Sequence, residues 1–164
     1  LHDVGKIGVR DSILLKPGDL TDEEFEEMKQ HVRHGRDIVG RSSWLNDAAP
    51  VVVGHHERYD GSGYLEGRRG SDIPKVARIF AVADVFDALT SKRPYKEAMG
   101  FEETMAILAQ GRGTHFDPEI LDAFVKIAPS LYEAYVTRDD ARPRHDLRRL
   151  GATYFMNHGS RDSG

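Results

Sequence analysis

The 164-residue chain contains no cysteine. Disulfides and thiolate ligands are both excluded, so any metal chemistry must use nitrogen and oxygen donors. The lack of disulfides fits a reducing compartment, and a cytoplasmic location is expected. No apolar run approaches the ~20 residues of a membrane helix, so no membrane span is expected in this chain. A signal-peptide pattern is missing too, because the chain opens on the polar motif LHDVGK. Basic residues are not in surplus: 23 Lys and Arg stand against 27 Asp and Glu, for a formal charge of −4. That argues against binding a nucleic-acid polymer, and any phosphate-binding groups must be local. Neither an internal repeat nor a convincing period-two strand pattern is present.

What is present is a series of helical patterns, which predicts an all-α domain. Leu1 to Lys6 reads as a helix end, with Gly5 suited to a left-handed terminating conformation. Residues 8–20 read as loop. Thr21 and Glu24 form a T-x-x-E capping box, and the following helix places Phe25, Met28, Val32 and Ile38 on one stripe. A second helix is expected from about Asp47 to His56, then a glycine-rich loop over 57–72. The helix of about 74–91 carries Val76, Ile79, Phe80, Val82, Val85, Phe86 and Leu89, apolar on nearly every face, and is expected to be buried all round. A further helix spans 101–110. Asp117-Pro118-Glu119 opens another, and a short one from about Ser130 closes the domain.

Several polar residues interrupt this framework. His2-Asp3 is an adjacent pair that serves equally well as a solvated or capping pair. His55-His56 ends an apolar helix, and neighbouring helical side chains point about 100° apart, which suits two nearby ions better than one. His31 lies near an apolar stripe, where a lone histidine is more often a core residue than a ligand. Asp84 is the sharpest anomaly, a carboxylate within an apolar helix; it needs a metal ion or a cation such as Arg78 or Arg93. Together these six are nitrogen and oxygen donors on four segments, the way metal sites form in helical cores. Such a set favours Fe, Mn, Zn or Co over Mg or Ca. Six donors exceed the needs of one hydrolytic ion, so at least two ions are expected, bridged by a carboxylate. Lys6 and the run Arg93, Pro94, Tyr95, Lys96 supply cations and an aromatic ring for phosphate and base; a basic helix terminus is the alternative.

At LHDVGK, His31-x-x-x-Gly35, HHERYDGSGY (55–64), ARIFAVADVFDALTSKRPYK (77–96) and GTHFDPEI (113–120), the chain resembles the HD-GYP domain family. The similarity covers about residues 1–136, leaving 137–164 as a surface extension or flexible tail. The resemblance implies an HD-type phosphohydrolase helical bundle lacking its first helices. It implies His2, Asp3, His31, His55, His56 and Asp84 as ligands of two or three divalent ions, iron or manganese, with Asp3 bridging. Lys6 would lie beside the scissile phosphate, with Arg93, Tyr95 and Lys96 on the substrate. The implied reaction is metal-assisted hydrolysis of cyclic di-GMP to linear pGpG and, in some members, GMP. Implied partners are receiver or sensory domains upstream and GGDEF-type proteins at the GY loop. One departure is Leu65, where the family's GYP motif has proline; loss of the fixed φ implies a looser loop with every ligand kept. Two alternatives stand beside the enzyme: a non-catalytic module binding cyclic di-GMP or protein, and a phosphohydrolase for another nucleotide.

Overall fold

The structure, a computed structural model, describes residues 1–92 and 97–135. A 3-10 segment, Val4–Gly8, leads to α1 (Asp11–Leu14) and α2 (Asp22–Val39). A second 3-10 segment, Ser43–Ala48, runs into α3 (Ala49–Gly54); a 3-10 turn at Gly70–Asp72 precedes α4 (Lys75–Thr90), α5 (Phe101–Gln110) and α6 (Pro118–Tyr135). Among the described residues there is no strand, only an isolated bridge between Arg112 and Phe116. The fold is all-α. Leu1–Lys126 form one compact unit and Ile127–Gly164 a second, whose described part is the end of α6.

The capping box forms as its sequence dictates: Thr21 Oγ1 accepts from the Glu24 N–H at 3.3 Å, and the Glu24 carboxylate accepts from the Thr21 N–H at 2.8 Å. Such a cap contributes about 1 kcal/mol, and the acidic first turn complements the helix dipole. The buried face of α2 is not the expected stripe. His31, Val32, Gly35 and Val39 are buried, whereas Phe25 is 43% and Ile38 37% exposed. Glycine contacts explain the difference. A Cβ on Gly5 would lie 1.9 Å from the His31 carbonyl oxygen and 2.3 Å from the Gly35 nitrogen, so the first 3-10 segment rides directly on the α2 backbone. Gly5 thus serves close approach and not a left-handed cap, for its φ is not positive. On the adjoining part of α2, a Cβ at Gly35 would meet Val52 Cγ1 of α3 at 2.8 Å.

α4 departs from expectation in the same way. Ala77, Ala81, Val82, Phe86 and Thr90 are buried, but Val76 and Ile79 are 46% and 48% exposed. Apolarity on every face did not produce burial on every face. The buried face is the one that meets α3, where a Cβ on Gly54 would lie 2.9 Å from Ala77 Cβ, and the one where Phe86 meets the Phe124 ring at 5.1 Å. Residues 8–20 contain the short helix α1, which buries Ile13. α6 continues through Pro129 to Tyr135, where a separate final helix was expected. Arg93, Tyr95 and Lys96, and the expected tail over 137–164, lie outside the described residues.

Candidate metal centre

Three segments deliver the donors. The Gly5–α2 contact brings Asp3 over His31, and the C-terminal end of α3 presents His55 and His56. One ligand atom from each of Asp3, His31, His55 and His56 can be chosen so that all four lie within 4.8 Å of one another. Asp3 Oδ1 is 3.6 Å from His31 Nε2 and 3.7 Å from His55 Nε2. The two Nε2 atoms face each other at 3.4 Å.

The far side of each ring explains this arrangement. His31 Nδ1 lies 2.6 Å from the Met28 carbonyl oxygen, and His55 Nδ1 lies 2.9 Å from that of Val52. A carbonyl only accepts, so both Nδ1 atoms carry hydrogen and both Nε2 atoms of the neutral rings present lone pairs. Two lone pairs and a carboxylate oxygen then converge with no proton between them. That constellation fits a cation. Burial holds the rings neutral: it pushes the pKa of His31 and of His55 below the ordinary histidine value. His56 is pushed down to about 3, by burial first and then by its His55 and His31 neighbours. Burial alone would raise the Asp3 carboxyl, but its hydrogen bond to Lys6 and the Lys6 charge hold it below the usual value.

The remaining donors stand at the rim. His2 Nε2 lies 3.3 Å from Asp3 Oδ2 and 3.8 Å from Asp84 Oδ1, and its ring is 5.2 Å from that of His55. Lys6 Nζ donates to Asp3 Oδ2 at 2.7 Å. Asp3, His31, His55 and His56 therefore converge, Lys6 and His2 border them through Asp3, and Asp84 reaches the group only through His2. Asp84 is not buried, however: its side chain is 38% exposed. Nor does Arg78 neutralise it, since that guanidinium pairs with Asp117.

Glu57 has a role that the sequence reading did not assign. It is 2% exposed and accepts N–H bonds from Glu66, Gly67 and Arg68 at 2.7, 3.1 and 3.1 Å. A single carboxylate so closes the glycine-rich loop onto the residue after His56. The only available signal was its place in HHE. Inside that loop the Tyr64 N–H donates to the His56 carbonyl at 3.2 Å, and the Tyr64 ring stacks on the His56 ring at 4.7 Å. The Tyr64–Leu65 peptide is cis.

The sequence pattern of the HD domain family matches residues 1–120. The chain belongs to the HD domain family. A probable cyclic di-GMP phosphodiesterase of Vibrio cholerae is 50% identical over 133 residues, 76% of this chain and 30% of that protein. A cyclic di-GMP phosphodiesterase response regulator of Xanthomonas campestris is 51% identical over 128 residues, 77% of this chain and 34% of that protein. A 3'3'-cGAMP-specific phosphodiesterase of Vibrio cholerae is 43% identical over 140 residues, 80% of this chain and 27% of that protein. The chain thus spans about a third of the length of these relatives. As an HD domain it binds divalent metal, and the Asp3, His31, His55 and His56 donor set suits that charge. Among the described residues no helix is long and apolar enough to cross a membrane.

Proposed function

We propose that this chain is the hydrolytic part of a cyclic di-GMP phosphodiesterase. The observation that carries the reading is the convergence of the Asp3 carboxylate with the His31 and His55 lone pairs, with the Lys6 ammonium alongside. Half-identical relatives named for cyclic di-GMP supply the substrate. His2, Asp3, His31, His55, His56 and Asp84 would hold two or three divalent ions, iron or manganese, with the Asp3 carboxylate as the donor they would share. When bound, such ions supply Lewis acidity toward the phosphoryl oxygens and lower the pKa of water.

The chain's own groups do the rest. The Met28 and Val52 carbonyls fix both ring orientations, so no reorganisation is required as substrate arrives. Lys6 turns its donors toward a phosphoryl oxygen as charge develops there. Arg93 and Lys96 hold the substrate's phosphates, with Tyr95 beside them. Water adds to phosphorus, the ring P–O bond breaks, and the proton passes to the departing 3'-oxygen, giving pGpG and, after a second cleavage, GMP.

Residues 1–136 make up the domain. The protein works in the cytoplasm behind a receiver or sensory domain, and the loop around Tyr64 and Leu65 meets GGDEF-type proteins. A second reading, hydrolysis of 3'3'-cGAMP, is favoured by the relative named for that substrate. The natural protein carrying this chain, loaded with manganese or ferrous iron, should convert cyclic di-GMP to a linear product visible by chromatography. Turnover of 3'3'-cGAMP alone would select the second reading. Full metal occupancy without turnover of either would make the domain a non-catalytic binding module.

A further inference from the structure

The metal donors do not account for the strip of rings beside them. Tyr64 lies against His56 with an interplanar angle of 23°. Phe25 of α2 meets Tyr64 edge-on at 6.0 Å. One turn along α2, Lys29 Nζ stands 4.8 Å from the centre of Phe25 and 5.6 Å from that of Tyr64. The same ammonium donates to Glu26 Oε1 at 2.5 Å. Phe25 is 43% exposed and the Glu26 side chain 66%, while the Lys29 side chain is 21% exposed, so an open apolar ring and an open acceptor flank a part-buried donor. A purine needs these three features: a ring to stack on, and complementary polar groups for its edge.

We propose that Phe25, Tyr64, Lys29 and Glu26 form a guanine subsite for the cyclic dinucleotide. This rests on the substrate class proposed above and adds what selects its base. The purine stacks on the exposed face of Phe25, which Tyr64 backs edge-on. Lys29 donates to O6, the acceptor that guanine has and adenine lacks. Glu26 accepts from N1–H and the 2-amino group. Adenine reverses the pattern: it presents an amino group to Lys29 and a bare N1 acceptor to Glu26. Both mismatches repel, so the pair excludes adenine as well as admitting guanine. Without a ligand the two charges satisfy each other, and the base edge replaces that contact at both ends. The subsite reads one base. Cyclic di-GMP can enter from either end, 3'3'-cGAMP from one only, and cyclic di-AMP from neither.

The test measures kcat and KM of the metal-loaded natural protein on cyclic di-GMP and cyclic di-AMP. Phe25→Ala should raise KM for cyclic di-GMP about tenfold, with kcat moving less. Phe25→Leu, which keeps an apolar side chain without the ring, should do the same and covers any folding defect in the alanine variant. Glu26→Ala and Lys29→Ala should each lower the preference for cyclic di-GMP over cyclic di-AMP about tenfold. Helical signal and metal content serve as folding controls. An unchanged preference in both variants overturns the subsite while leaving the proposed function intact. A wild-type protein that cleaves bis(p-nitrophenyl) phosphate but no cyclic dinucleotide overturns both.

Discussion

The two sides of the donor cluster are built differently. On the inner side, His31 and His55 are 1% and 5% exposed, and each is anchored through Nδ1 to a carbonyl of its own helix. On the rim, the side chains of His2, Asp3, Lys6 and Asp84 are 28% to 38% exposed and lie near one another through charge. The inner side is therefore set by folding, whereas the rim is held by looser contacts between part-exposed charged groups. The contrast follows from backbone packing. Glycines at 5, 35 and 54 let four segments approach until the histidines between them lose contact with water; α4 has no such approach around Asp84, so that carboxylate stays wet.

The largest effect should come at the residue that joins the two sides. Asp3→Asn keeps the shape but removes the charge that faces His31, His55 and Lys6. Turnover of cyclic di-GMP should fall by more than about a hundredfold, while the helical circular dichroism signal stays unchanged. Near wild-type turnover with metal in excess would show that the sides work without their bridge.

Gly5→Ala attacks the inner side by sterics alone. The new methyl would meet backbone atoms, which no rotamer change relieves. We expect a loss of about 3 kcal/mol in urea unfolding, together with weaker metal retention, because Asp3 moves away from His31. Wild-type stability would show that the 3-10 segment is not seated on α2.

Acid should also discriminate between the sides. In the metal-free protein His31, His55 and His56 have folded pKa values below the ordinary 6.5, that of His56 about 3. Below 6.5 the unfolded chain takes up protons that the folded chain refuses, so stability present above that value declines as pH falls. Asp3, also lowered, adds loss only once pH nears the carboxylate range. Unfolding followed from pH 7.5 to 5 should thus show stability dropping within the histidine window, and His56→Asn should flatten the drop. A flat profile in the wild type would mean that the inner rings are open to water.

Some of this could be read from the residues. The Thr21–Glu24 box fixed where α2 begins, and Asp117-Pro118-Glu119 marked the start of α6, because caps are local chemistry. The all-α class followed from helical spacing. The donors, however, lie on separate segments, and spacing alone says nothing of whether segments meet; the motif resemblance suggested that they do. Burial was misread at Phe25, Ile38, Val76 and Ile79 for one reason. Hydropathy reports what a side chain prefers, while the glycine contacts decide which face has a neighbour. Glu57 passed unassigned because its partners are backbone N–H groups, which carry no sequence signature.

Asp84→Asn should give the smallest effect on stability. A carboxylate in an apolar helix suggests a buried charge, whose loss or neutralisation would shift stability by several kcal/mol. The structure has it 38% exposed, with His2 Nε2 3.8 Å away. An exposed group with so loose a contact contributes little, so metal-free Asp84→Asn should unfold within about 0.5 kcal/mol of wild type. Its contribution lies in the loaded state: the amide oxygen is a weaker donor without charge, and affinity for manganese should fall about tenfold or more. His31→Ala supplies the contrast, since it removes a buried ring and should cost metal-free stability as well. If Asp84→Asn instead costs more than about 2 kcal/mol without metal, the rim is as firmly built as the interior, and the division between the two sides fails.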